Sequence, residues 1–247
     1  MESDKKIRIF IFVIGSFENP YYEQMLKMRK EYLEKYGIPY LILLDGDIPK
    51  SYKLGEKDRW YEKDKEFDPK RMNPHMIQKF LKGLKEINEK EYDYIIRVNI
   101  STFMNIPLLL SILEKEKRTK YAGGSLLLQK YNLDINNPVV QRFPLYLKNV
   151  FEMISGTCMI FSNDVIEYLK TLPLFLPFYE HSYDDVILSF LVKEYTDSFV
   201  NIPMTFHVGN RVIRCKEGFP LYRIRHTDRS YDILVWKELI RIYEANF

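Results

Sequence analysis

Residues 94–102 read Tyr94-Ile95-Ile96-Arg97-Val98-Asn99-Ile100-Ser101-Thr102, an apolar run that ends in a polar tip. The run from Tyr92 to Val98 is dense in β-branched and aromatic residues, as a strand buried on both faces is. Upstream, Ile7 to Ile14 reads the same way and stops at Gly15-Ser16. From Pro20 to Tyr36, the residues Met25, Leu26, Met28, Tyr32 and Leu33 recur near helical spacing, and Gly37 follows as a stop. Ile38 to Leu44 is a further strand, closed by Asp45-Gly46-Asp47. Strand, helix and strand form a βαβ unit whose crossover is expected to be right-handed.

The polar segment from Pro49 to Pro74 is weakly periodic and predicts an excursion over a site or a short helix. Asn73-Pro74 then predicts an N-cap and first helical residue, with Met76, Ile77, Phe80, Leu81, Leu84 and Ile87 as the apolar stripe behind them. After the central strand, Ile106-Pro107 opens a helix, and Tyr121-Ala122 is a short strand before Gly123-Gly124. Residues 125–144 have no clear period. Ile154 to Phe161 is β-like. Ser162-Asn163 caps a helix, a second helix starts at Asp184, residues 199–203 suggest a strand, and Tyr231 to Tyr243 closes the chain as a helix. The expectation is one α/β domain over residues 1–247, with a mostly parallel, Rossmann-like sheet and a less regular second half. Sites in such sheets lie at the carboxyl ends of strands. Those ends are Gly15-Ser16, residues 45–47, residues 99–102 and Gly123-Gly124.

At 247 residues the chain can bury a substantial core. A formal charge of +3 is too small to single out a polyanionic partner, and the cations do not interleave with aromatics in a recognisable module, so no nucleic acid is expected. Aromatics reach 15%, which suits sugar-facing clefts but also follows from a Lys-rich, AT-biased coding sequence that favours Tyr and Phe. Cys158 and Cys215 are too few and too far apart for a metal knuckle. Residues 7–14 are too short for a membrane span and carry Arg8, so they predict neither a signal peptide nor a membrane segment. A cytoplasmic or otherwise soluble protein is expected. No GxGxxG follows the first strand, and there is no Walker A, HExxH or GxSxG sequence.

The order of features from Tyr92 onward resembles GT-A-fold glycosyltransferases, especially the β1,3-galactosyltransferase and fringe-like group. There a strand ends in a Lys-Thr-Asp-Asp-Asp-x-Phe-type segment, matched here by residues 97–103. A helix around a proline follows, matched by Ile106-Pro107. A Tyr-x-Gly-Gly element is matched by residues 121–124, a Ser-Gly-Gly-type segment by residues 155–162, and Glu-Asp-Val by Asp184-Asp185-Val186. The resemblance spans about residues 7 to 210. It implies a hexosyltransferase that moves a sugar from a nucleotide-sugar, usually UDP-linked, to a hydroxyl of a glycan or other acceptor, with inversion. The departure is at the metal triplet. Asn99 and Ser101 stand where the first and third carboxylates would be, each with one neutral oxygen. Hard cations such as Mg²⁺ and Mn²⁺ prefer charged oxygen ligands. Cationic side chains could neutralise the diphosphate, metal could be held weakly through other ligands, or activity could be lost. The last outcome leaves a nucleotide-sugar- or glycan-binding protein on the same scaffold.

By the resemblance, Asp185 is the general base. Its ordinary alternative, shared with Asp184, is a carboxylate at a helix start. Ser16, Asp45, Arg97, Asn99, Ser101, His207 and Arg211 are the candidates for holding the donor. Each has a plainer role. Arg97 could be a cation paired at a strand end, Asn99 and Ser101 could satisfy turn amides, Asp45 could form an Asx turn around Gly46, and His207 could be a packed core histidine. The basic stretch from Arg211 to Arg229, which contains Arg214, Lys216, Arg223 and Arg225, could be a solvated face or could supply the charge that a metal otherwise supplies. Trp60, Tyr61 and Tyr183 are candidates for stacking on sugar.

Overall fold

The computed structural model describes residues 6–17, 19–62, 75–129, 136–144, 150–209 and 217–244. Four strands build the first half of the main sheet: β1 (Ile9–Ile14), β2 (Tyr40–Leu44), β3 (Asp58–Trp60) and β4 (Tyr94–Asn99). Helix α1 (Tyr21–Lys35) crosses from β1 to β2, and α2 (His75–Leu84) precedes β4. β5 (Thr102–Met104) and α3 (Ile106–Leu113) follow the polar tip. The second half comprises β6 (Ala122–Gln129), α4 (Pro138–Arg142), β7 (Phe151–Ser162), α5 (Asn163–Thr171), α6 (Asp184–Lys193), β8 (Val200–Asn201), β9 (Met204–Gly209), β10 (Leu221–His226) and α7 (Ser230–Glu244).

The main sheet has seven strands in the order β3-β2-β1-β4-β7-β6-β8. β7 alone runs against its neighbours, β4 and β6. The class expected from the sequence, α/β with a mostly parallel sheet, is therefore what the chain adopts. β1 is flanked by β2 on one side and β4 on the other, with Ile14 opposite Asn99. That reversal of strand order opens a crevice at the carboxyl ends of β1 and β4. A second, three-stranded sheet, β5-β10-β9, continues directly from the tip of β4.

Period-two alternation splits the strand side chains between two apolar layers. Ile9, Ile11, Ile96 and Val98 pack with Leu26 and Leu33 of α1, Leu109 of α3 and Trp236 of α7. Phe10, Phe12 and Ile95 pack with Phe80 of α2, Ile166 of α5 and Phe190 of α6. No helix among the described residues is long and apolar enough to cross a membrane.

Two local readings need correction. The polar excursion after Pro49 contains β3, an edge strand of three residues that apolar periodicity cannot reveal. Asp58 anchors it instead, accepting from Lys30 Nζ at 2.7 Å, Gly55 N at 2.8 Å and Tyr52 Oη at 2.9 Å. Residues 73 and 74, expected as the cap of α2, lie outside the described residues. Gly123-Gly124 does not follow a strand but lies within β6, where the pairing with β7 shifts between Gly124 and Leu126. Gly124 has φ of 153°, and a Cβ there would fall on the carbonyl oxygen of Cys158. Gly124→Ala is expected to lower unfolding stability by at least about 2 kcal/mol in urea titrations. A wild-type midpoint would contradict this account of the bulge.

Candidate functional site at the strand ends

A cleft of about 310 Å³ opens where β1, β2 and β4 end. Ser16, Asp45, Asn99 and Ser101 line it from the strand ends, and Arg223 and Arg225 line it from β10. Three larger hollows, of about 650, 780 and 400 Å³, lie by the amino ends of β1 and β2, along α1, and between α1 and α7. None collects strand-end polar groups, so the smaller cleft is the candidate site.

Asp45 forms the floor on the β2 side and is 3% exposed. Its Oδ2 accepts from Lys79 Nζ at 2.7 Å, and His75 Nε2 stands 3.7 Å away. Lys79, fully buried on α2, also donates to the carbonyl of Gly15 at 3.1 Å. Burial pulls the Lys79 ammonium below the usual lysine range, and Asp45 opposes that pull. Asp45 Oδ1 has no hydrogen-bond partner among the described residues.

The turn at residues 99–102 forms the central wall. Arg29 of α1, with no exposed surface, donates Nη2 to the carbonyls of Ile100 (3.1 Å), Asn99 (3.4 Å) and Thr102. Its guanidinium also sits 4.5 Å from the Trp236 ring. Burial lowers the Arg29 pKa to about 9. From the cleft side, Arg223 Nη1 donates to Ser101 Oγ at 2.5 Å, and Ile224 N donates to the Ser101 carbonyl at 2.8 Å. Asn99 Oδ1 is buried without a hydrogen-bond partner among the described residues.

Arg97 shares a face of β4 with Asn99 but is only 1% exposed. It donates to the Gly156 carbonyl at 3.0 Å and pairs with Asp184. It therefore links the strand to the start of α6 rather than facing the cleft. The neighbouring Asp185 accepts from Gly156 N at 2.9 Å and Val186 N at 3.0 Å. A Cβ at residue 156 would come within 2.9 Å of the Asp185 Cβ, so the glycine permits this approach. Burial pushes the Asp185 carboxyl up and the Asp184 charge adds to it. The Gly156 amide and Arg97 act in the opposite direction.

Of the sequence candidates, Ser16, Asp45, Asn99 and Ser101 meet in the cleft. Arg97, Asp184 and Asp185 form the adjoining polar layer. His207 is elsewhere. It pairs with Ile224 across β9 and β10, so it faces opposite to Arg223 and Arg225, and it stacks on Tyr222 at 6.0 Å between centroids. Burial and His226 hold its pKa below the usual histidine range. Arg211, Arg214, Cys215 and Lys216 lie outside the described residues. Cys158 is buried, which pushes its thiol up to about 12. Trp60 Nε1 donates to the Gly46 carbonyl at 3.0 Å, Tyr61 Oη donates to Glu86 at 3.1 Å, and Tyr183 is 56% exposed.

Lys79 and Arg29 were not among the candidates, because a lone cation on an amphipathic helix reads as solvated. The signal for Lys79 was its place within the apolar stripe between Met76 and Phe80. Among the described residues, no group of three or more His, Cys, Asp or Glu is placed to hold a metal ion.

No family model and no curated protein matches the chain. Solved structures do. A glycosyltransferase involved in glycosylating the major capsid of PBCV-1 aligns at 8% identity and a TM-score of 0.48, over 93% of this chain and 98% of that one. A mutant Drosophila β1,4-galactosyltransferase 7, in complex with manganese, UDP-Gal and xylobiose, aligns at 11% identity and a TM-score of 0.40, over 91% and 73%.

The buried Lys79–Asp45 pair yields a prediction about the floor of the site. Lys79→Met leaves a buried carboxylate uncompensated and is expected to cost about 3–5 kcal/mol of stability. Adding Asp45→Asn should recover much of that loss in a double-mutant cycle read by chemical unfolding. Simple additivity of the two changes would show that the pair is not coupled.

Proposed function

We propose that the chain is a glycosyltransferase that binds a nucleotide-sugar, UDP-linked, across the strand-end cleft and transfers the sugar to an acceptor hydroxyl with inversion. The observation that carries this reading is a half-buried carboxylate of raised pKa, Asp185, bound to the Gly156 amide and so tied through Arg97 to β4, the strand whose tip lines the polar cleft at the switch point of an α/β sheet. Its position within the sequence resemblance described above points the same way.

In this mechanism the acceptor oxygen attacks the anomeric carbon from the face opposite the diphosphate. The new carbon–oxygen bond forms as the bond to the diphosphate breaks. The diphosphate leaves with the electron pair, and the hydroxyl proton passes to Asp185. A raised pKa suits that role, because a stronger base accepts the proton more readily. Arg97 is a positioning residue here. It ties Asp184 and the Gly156 carbonyl to β4, which fixes the start of α6 and with it Asp185.

A second reading has its own support. Both oxygens of Asp185 already accept backbone N–H groups, as a structural carboxylate at a helix start would. On that reading the chain is a nucleotide-sugar- or glycan-binding protein without turnover.

Assay of UDP-sugars against a panel of glycan acceptors separates the two. Asp185→Asn is expected to reduce transfer by roughly 100-fold or more, in line with loss of a general base, while UDP binding changes less than twofold. Retention of full transfer in that variant would rule out Asp185 as the base.

The pH profile adds an independent check. The basic form of Asp185 is required, so the acid limb of kcat/KM reports its raised pKa. Asp184→Asn removes the neighbouring negative charge and also frees Arg97 to favour the Asp185 carboxylate. Both changes lower the Asp185 pKa, so the acid limb should move to lower pH. A limb that stays in place would show that Asp185 does not set it.

A further inference from the structure

The family resemblance implies a divalent cation bridging the donor diphosphate, and the residues at the tip of β4 do not fit one. Asn99 and Ser101 offer neutral oxygens only. The Ser101 hydroxyl is already engaged by a guanidinium, that of Arg223. Asp45, the carboxylate in the cleft, is neutralised from behind by Lys79. Among the described residues, a hard dication placed here would meet fixed positive charge and a single carboxylate, Asp45, already paired with Lys79, rather than a set of anionic ligands.

What the cleft does hold is a pair of arginines on β10. Arg223 and Arg225 stand two residues apart on β10 and share a face of the small sheet. Neither makes an ion pair with a carboxylate among the described residues. Arg223 is partly buried, and its hydrogen bond to Ser101 fixes it against the tip of β4. The turn that positions Ser101 is itself clamped by Arg29 from the opposite side. Burial and the neighbouring Arg225 lower the Arg223 pKa to about 10, which leaves it charged at neutral pH. Two arginines that lack carboxylate partners and line one polar cleft are suited to an anion with several oxygens.

We propose that Arg223 and Arg225 hold the donor's diphosphate directly, so that donor binding needs no divalent cation. This rests on the nucleotide-sugar reading above and specifies how that site handles charge. As the bond to the anomeric carbon breaks, negative charge grows on the departing phosphate. A guanidinium already anchored to Ser101 meets that charge without reorganising.

The test is calorimetric binding of UDP to the whole chain in EDTA and again with Mn²⁺, with pyrophosphate as a second probe in EDTA. UDP is expected to bind in EDTA, with a Kd that changes less than twofold on adding Mn²⁺. Arg223→Gln should weaken both UDP and pyrophosphate at least tenfold, and Arg223→Lys by less. Arg225→Gln, at an exposed position, should weaken both probes at least threefold. The proposal is overturned if UDP binds at least tenfold more tightly with Mn²⁺ than in EDTA, or if Arg225→Gln and a folded Arg223→Gln both bind UDP like the wild type. Absence of UDP binding under either condition would overturn the nucleotide-sugar reading as well, and so is distinguishable from failure of the metal-free mechanism alone.

Discussion

Arg29 holds the turn at residues 99–102 from within the core, and the geometry of the site follows from that grip. Here the chain leaves the seven-stranded sheet at β4 and enters the three-stranded sheet at β5. Such a crossing exposes backbone carbonyls that neither sheet can pair. Buried carbonyls without donors are costly. One guanidinium from α1 supplies donors to three of them and rests on the Trp236 ring. All three contacts come from its Nη2 group. The consequence is a turn whose outer surface is fixed, with Ser101 presented to Arg223 and Asn99 directed toward the layer that contains Arg97.

The same economy of carboxylates runs through the whole site. Two of the site's acidic groups have an assigned cation: Lys79 for the buried Asp45 and Arg97 for the half-buried Asp184. Asp185 has no cation of its own and is held by amides, and its pKa is raised. Arg223 and Arg225 make no ion pair with a carboxylate among the described residues. The electrostatic remainder is therefore one basic carboxylate on one side and two cations on the other. A reaction that takes a proton from one reactant and expels an anion from another requires that separation of charge.

Much of the scaffold was legible in the chain because buried parallel strands are written as continuous apolar runs. β1, β2 and β4 follow directly from residues 7–14, 38–44 and 92–98. The strand ends followed in turn, and with them Ser16, Asp45, Asn99 and Ser101. What was not legible depends on tertiary contact. β3 is held by hydrogen bonds to Asp58 and carries no apolar pattern. Arg29 and Lys79 occupy helices that also carry solvated lysines, Lys27 and Lys82, and only packing distinguishes them. Arg97 reads equally well as a ligand contact or as a strand-end ion pair until Asp184 is found beside it. The basic stretch around β10 advertised charge, but only alternation along residues 221–226 separates the cleft-facing Arg223 and Arg225 from Tyr222 and Ile224 on the core face. The same alternation turns His207 away from the cleft.

The chemistry proposed for the cleft turns on where a diphosphate sits and what touches it. A crystal structure of the chain grown with UDP and EDTA tests this most directly. The account predicts phosphate oxygens within hydrogen-bond distance of Arg223, beside Ser101 at the tip of β4, with the nucleoside toward Asp45. UDP bound at one of the other hollows, or in this cleft with its phosphates turned away from β10, would contradict it.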